Sequence, residues 1–206
     1  MPTPRIENLD TERIAHIMTI ALKEFAEHNY HKSSFNRIIK NCGISKGTMY
    51  YYFENKQDLF MTLLNATTKE FQGLVGTETP AIGEPGQYWL EVNRLLKGLL
   101  TILYSKPTLG RFIQNFLTTE SRKTPNPTSG VVEAIDEWLE DFILTGQLVG
   151  AVRRDLPIDL LAHMSWGIWE TCSLWLQTAM EETDADQASE IMLDFFQRTL
   201  RNIGDA

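Results

Sequence analysis

Apolar residues recur along this 206-residue chain at intervals of three and four, the spacing of one helix face. Sustained apolar/polar alternation and Asn-Gly or Asp-Gly turn pairs are absent, so strands are not expected. Ile14, Ile17, Ala21, Leu22 and Phe25 mark a first helix over about Asp10 to His28. Ser34 reads as the N-cap of a short helix through Asn41, with Phe35, Ile38 and Ile39 inward and Gly43 as its stop. Ser45 caps another short helix, Lys46 to Tyr52. Asn55 begins a fourth, with Asp58 at its third position, where a carboxylate suits the macrodipole. Leu59, Phe60, Leu63, Leu64 and Phe71 supply its stripe.

The Gly/Pro-rich stretch Gly76–Gly86 predicts a loop. Helical spacing resumes over Gln87–Tyr104 and Pro107–Arg122 and breaks at Thr124–Gly130. A helix near Val131–Thr145 follows, with Gly146 and Gly150 as its stops, and two long helices close the chain, about Pro157–Glu181 and Asp184–Ile203. The pattern predicts an all-α protein of about nine helices.

Composition adds exclusions. With 43% hydrophobic and 22% charged residues the chain is an ordinary globular sequence, neither disordered nor low in complexity. Two cysteines, Cys42 and Cys172, are too few for a disulfide framework; packing is the simpler role for both, against a redox one. The four histidines lack metal-ligand spacing, so neither metal nor cofactor is expected. The weakly charged run Leu160–Met180 holds Glu170 near its middle, where a carboxylate at a bilayer centre would cost about 2.5–3.5 kcal/mol. No membrane partner and a cytoplasmic location are expected.

Charge is informative once divided. The chain is net −8, but residues 1–57 carry eight basic and six acidic side chains, and the remainder 11 basic and 21 acidic. A slightly basic tip on an acidic body points to a polyanion met only at the tip.

The tip also carries the clearest motif. Two short helices joined by Gly43-Ile44-Ser45 have the dimensions of a helix-turn-helix. Gly43 can take the positive φ of the turn, Ile44 can pack between the helices, and Ser45 can cap the second while its first-turn amides face outward, where phosphate binds. Gly47 would let a nucleic-acid backbone approach closely; Met49 and Phe53 form the inward edge. Gly43–Gly47 also fits the hydrolase pattern G-x-S-x-G, but a nucleophile elbow must follow a strand, and here a helix precedes it. No catalytic role is assigned.

The stretch Ser33 to Leu59, SSFNRIIKNCGISKGTMYYYFENKQDL, resembles the TetR family of bacterial transcriptional regulators. The family pattern falls on Ser34, Ile38, Gly43-Ile44-Ser45, Gly47-Thr48-Met49-Tyr50, Tyr51, Tyr52-Phe53 and Lys56, with Ile17, Ala21, Leu22, Phe25, Ala26 and Tyr30 matching upstream. Asn29 stands where the family usually has Gly, and Ile39 where it usually has Ala. The resemblance implies an N-terminal three-helix DNA-binding domain, residues 1–54, and a helical ligand-binding and dimerisation domain, residues 55–206. It implies that Lys46, Gly47, Thr48 and Tyr51 lie toward base edges of a double-stranded operator, with Asn36 and Arg37 reaching from the preceding helix. Ser34, Ser45, Tyr50, Tyr52 and Lys56 would hold phosphates.

Two further sets come from the C-terminal residues themselves. Its many aromatics favour a cavity for an apolar or flat ligand, with Phe71, Trp89, Phe112, Phe116, Trp138 and Trp166 as candidate walls and Glu170 as a nearby carboxylate. Ile158, Leu161, Trp169, Leu176, Ile191, Phe195 and Ile203 offer more apolar stripe than one subunit needs, which points to a homodimer through the last two helices. The expected protein is a repressor that binds a pseudo-palindromic operator as a homodimer and answers to a small effector. The alternative is a DNA-bound interaction protein of the same fold without an inducer, which a dry, filled second domain would favour.

Overall fold

The computed structural model describes residues 11–75, 81–117, 129–179 and 182–202. Among them are nine helices, here α1 (Thr11–Lys32), α2 (Phe35–Cys42), α3 (Lys46–Tyr52), α4 (Lys56–Val75), α5 (Pro85–Ser105), α6 (Pro107–Phe116), α7 (Ser129–Leu148), α8 (Ile158–Ala179) and α9 (Ala185–Leu200). Among the described residues the only extended pairing is one antiparallel bridge, Val152 to Arg201. None of the helices is long and apolar enough to cross a membrane.

Local chemistry sets the boundaries. Ser34, Ser45 and Asp184 accept the N–H groups of Arg37, Thr48 and Gln187, and Gln187 completes a capping box on α9. Asn55 accepts the Asp58 N–H at 3.0 Å, and Asp58 in return accepts that of Glu54 at 3.0 Å.

The helix expected over Pro107–Arg122 ends at Phe116, and two other differences from the sequence expectation have a clear local cause. The chain remains helical past His28, but at Asn29 the backbone turns to φ 47, ψ −179 before one further turn reaches Lys32. Asn29 Oδ1 caps that turn by accepting the Lys32 N–H at 3.1 Å. A non-glycine residue in this conformation costs about 1–3 kcal/mol, whereas replacing a capping Asn with Gly loses only a few tenths. Asn29→Gly should therefore stabilise the protein by about 1 kcal/mol and raise its melting temperature by about 2–4 °C. A scanning calorimetry trace with an unchanged or lower midpoint would contradict this.

The second difference is Gly146, which lies inside α7 and does not end it. A Cβ there would stand 2.5 Å from Val152 Cγ2 and 2.6 Å from Tyr88 Cε2, so this glycine serves close packing. The helix ends through Gly150, at φ 79, with Ala151 N–H donating to Gly146 O at 2.8 Å and Gly150 N–H to Gln147 O at 3.2 Å. That is a Schellman closure. Arg154 covers the end by donating to Gln147 O at 2.7 Å.

Three apolar cores hold the helices. The first joins α1–α4 to α6, Ile102 of α5 and Val132 of α7, and so extends well past residue 54. Phe25, Phe60 and Phe112 meet at its centre, with Phe25 edge-on to Phe60 at 4.8 Å. The second gathers Tyr88, Trp89, Phe142, Ile143, Val152, Leu161 and Leu200 around the α7–α8 connection. The third packs α5 against α8 and α9 through Leu96, Leu100, Trp169, Leu176 and Met192.

Candidate nucleic-acid interface

The short helix α3 is fixed from beneath. Met49 and Phe53 are fully buried in the first core, and the Phe53 N–H closes the helix on Met49 O at 2.9 Å. Ser45 Oγ accepts the Thr48 N–H at 3.0 Å and lies 2.8 Å from Thr48 Oγ1, so the two hydroxyls form one polar rim. Gly43 takes φ 65 and donates its N–H to Lys40 O at 3.1 Å; half-buried Ile44 packs on the core. The helix-turn-helix geometry expected from Gly43-Ile44-Ser45 is present.

On the outer side Lys46 and Gly47 are exposed, Tyr50 is 54% exposed and Tyr51 52%. Tyr50 leans edge-on against Phe35 of α2 at 5.6 Å, and Tyr51 against Tyr52 at 5.6 Å, so both phenols are held away from random rotation. A Cβ on Gly47 would meet only Ser45 Oγ, at 3.8 Å. Nothing inside the protein requires glycine here, and its effect is to keep the outer surface of α3 flat. Ser34 and Asn36 sit at the start of α2, Asn36 exposed.

Three of the residues expected at DNA are engaged elsewhere. Arg37 Nε donates to Glu24 at 2.8 and 2.7 Å, and its Nη2 forms an ion pair with the same carboxylate. Lys56 Nζ donates to Tyr30 O at 2.7 Å and Ser33 O at 3.2 Å and lies 4.4 Å from the Tyr30 ring centre. Its ammonium closes the end of α1, and burial lowers its pKa despite the nearby Glu24 charge. Tyr52 is 5% exposed and belongs to the first core. Tyr52 is thereby corrected from a phosphate contact to a core residue, whereas part-exposed Arg37 and Lys56 are held by the scaffold in this structure.

Glu24 is the residue the sequence reading missed, although a carboxylate in register with Ile17 and Ala21 was the signal. It is buried and also accepts the Ser34 N–H at 2.8 Å. Burial pushes its carboxyl up, but the Arg37 bond, the Ser34 amide, and the charges of Arg37 and His28 together hold it below the ordinary range. A depressed folded pKa gives stability that is present above the unfolded value, near 4.3, and is lost as pH falls through the folded one. The stability gap between wild type and Glu24→Gln should be widest above about pH 5 and narrow toward pH 3. Urea titrations across that range showing a constant gap would contradict it.

The candidate ligand walls are dispersed. Phe116 and Trp166 line one narrow, partly open cleft with Leu117, Val132 and Ile135, which has no room for a water molecule. Trp166 Nε1 donates to Asp136 at 2.8 Å. Phe112 is buried in the first core with Phe71 at its margin, and Trp89 is buried in the second. Trp138 is exposed and stacks flat on Phe142 at 5.4 Å, and Glu170 is half-buried on α8. Of the six aromatics, Phe116 and Trp166 share this cleft, Phe71, Phe112 and Trp89 pack in or against the first two cores, and Trp138 lies at the surface.

The dimer set also divides. Leu161, Trp169 and Leu176 are buried within the chain's own cores, and Ile158 packs partly against the second, which corrects their assignment to an outer face. Ile191 and Phe195 are exposed, as are Leu160, Leu174 and Trp175, which the sequence reading did not choose. A helix apolar on both faces gives no sequence signal for which face turns outward. Ile203 lies outside the described residues. Cys42 and Cys172 are buried, and burial pushes both thiols up, which fits packing.

An all-helical chain carrying this helix-turn-helix is a DNA-binding transcriptional regulator. Residues 17–62 match the family described as bacterial regulatory proteins, tetR family. The transcriptional repressor DhaR of Mycobacterium sp. strain GP1 is 23% identical over 193 residues, covering 92% of this chain and 95% of DhaR. The fatty acid metabolism regulator protein of Bacillus subtilis is 23% identical over 161 residues, covering 78% and 81%. A putative tetR family regulator from Shewanella sp. PV-4 superposes with TM-score 0.69 at 19% identity over 92% of this chain and 98% of that one. Residues 17–62, the helix-turn-helix region of this chain, belong to the tetR family of bacterial regulatory proteins.

Proposed function

We propose that the protein is a repressor that binds a two-fold symmetric operator as a homodimer, and that a small apolar or aromatic ligand releases it. The observation that carries DNA recognition is the outer side of α3, where Lys46, Gly47, Thr48, Tyr50 and Tyr51 stand on the buried Met49 and Phe53. Lys46, Thr48 and Tyr51, with Asn36 of α2, would meet base edges: lysine suits the O6 and N7 acceptors of guanine and the threonine methyl suits thymine. Ser34, Ser45 and Tyr50 would position phosphates. Residues 1–54 form the DNA-binding unit in this reading and residues 55–206 the ligand-binding and dimerisation unit.

Relatives support ligand control. FadR of Bacillus subtilis was solved with stearoyl-CoA, TM-score 0.64 at 18% identity over 88% of this chain and 96% of that one. For this chain the many acidic residues beyond position 57 disfavour a polyanion, since burying phosphate without basic partners costs several kcal/mol. A coupling of about 1–3 kcal/mol would lower operator affinity about 5- to 150-fold.

All five tryptophans lie beyond residue 57, so their fluorescence should report occupancy. A screen of lipophilic cations, neutral aromatics, fatty acids and nucleotides should give quenching and operator release with an apolar compound. Release by a nucleotide or acyl-CoA alone would overturn the ligand class. The narrowness of the cleft between Phe116 and Trp166 favours a second reading, a DNA-bound interaction protein without inducer, and quenching by no compound would select it.

A further inference from the structure

We propose that Asn115 and Glu24 are positioning residues for operator binding, which together transmit the placement of α6 to the helix-turn-helix. The proposal rests on the operator-binding reading above. Its starting point is the break in α1 at Asn29, where the change of backbone direction weakens the regular helical bonding of the turn before it. Asn115 of α6 reaches two carbonyls of that turn, its Nδ2 donating to Ala26 O at 2.8 Å and to Phe25 O at 3.3 Å.

The next residue on each side extends the link. Phe116 follows Asn115 and lines the cleft with Trp166 of α8. Glu24 precedes Phe25 and binds the Ser34 N–H at 2.8 Å and Arg37 Nε at 2.7 Å, which ties the first turn of α2 to the same turn of α1. A short bonded route therefore runs from the cleft wall through α6 and the end of α1 into α2, separate from α4.

These polar groups do more than attach the helices. The rings of Phe25, Phe60 and Phe112 already join α1, α4 and α6, and such apolar contacts tolerate small slides and rotations. Directional bonds to two carbonyls fix the register of α6 along α1. An ion pair between the buried Glu24 carboxylate and the part-exposed Arg37 guanidinium adds little stability that an apolar contact would not, although losing the guanidinium would strand a buried charge. Setting the angle of α2, and with it α3, is the use such a pair has here.

The test compares wild type, Asn115→Ala, Asn115→Asp, Glu24→Gln and the Asn115→Ala/Glu24→Gln double variant. Each is titrated, as full-length protein, with the duplex that wild type enriches from a random library and with a scrambled duplex, alongside thermal melts. Asn115→Ala should lose about tenfold in affinity for the enriched duplex, with scrambled-duplex affinity and melting midpoint close to wild type. Asn115→Asp, which keeps the volume but loses the donor, should behave alike. In the Glu24→Gln background the same change should add less than about twofold, because the route is already interrupted.

Unchanged affinity in Asn115→Ala, or full additivity in the double variant, would overturn the proposal. So would affinity losses in both Asn115 variants that track a falling melting midpoint, since these would assign Asn115 to the fold alone. Enrichment of no duplex by wild type would instead refute the operator-binding reading, and the proposal with it.

Discussion

Replacing Ile191 and Phe195 together with Asp should give a folded helical monomer whose operator affinity falls by about 10²- to 10⁴-fold, the advantage two linked binding modules hold over one. Both side chains are exposed on α9, at 38% and 52%, beside Leu160, Leu174 and Trp175 exposed on the adjacent α8. Burying one such side chain is worth about 1.5–3 kcal/mol, and a soluble monomer rarely leaves several together in water. Two helices from each subunit would form a four-helix bundle across a two-fold axis. Asp at the centre of that bundle would have to lose its hydration without a partner, whereas on the isolated subunit it is harmless because neither position is buried. Sedimentation equilibrium and circular dichroism would show it. A variant that stays dimeric, or a wild type that is monomeric at micromolar concentration, would contradict the assignment.

Lys46→Ala and Tyr51→Ala should each cost about 1–3 kcal/mol on the enriched duplex and far less on a scrambled one. The reason is location. Both side chains stand on the outer side of α3, and neither supports the core, so their removal leaves the helix in place. Lys56→Ala offers the contrast. Its ammonium already serves the carbonyls of Tyr30 and Ser33, so the loss should appear as a lower melting temperature with the salt dependence of DNA binding unchanged. A salt slope flatter by about one unit in Lys56→Ala would mean that the ammonium meets phosphate after all.

Much of the fold was legible because its signals are local. Ser34, Ser45, Asn55 and Asp184 cap helices where their side-chain chemistry says they should, and Gly43 takes the positive φ its turn requires. Gly146 was misjudged for a physical reason: its glycine is demanded by Tyr88 and Val152, distant in sequence from any turn rule. The two sides of α3 were legible too, since buried Met49 and Phe53 on one side and exposed Lys46, Tyr50 and Tyr51 on the other follow from helical spacing alone.

The polar scaffold behind it was not. Whether Arg37 and Lys56 face DNA or the protein depends on Glu24 and on the carbonyls of Tyr30 and Ser33 at the end of α1, which only the folded chain brings within reach. Which aromatics and which helix faces turn inward was illegible for the same reason. An aromatic residue looks identical in sequence whether it fills a core, as Phe112 does, or lies on the surface, as Trp138 does.

Recognition of a symmetric operator by a dimer is tested most directly by selecting duplexes from a random library with wild-type protein and counting chains bound to the enriched site. The expected result is a site with two-fold related halves about one helical turn apart, occupied by two chains. Enrichment of an asymmetric site by a single chain, or of no site at all, would contradict it.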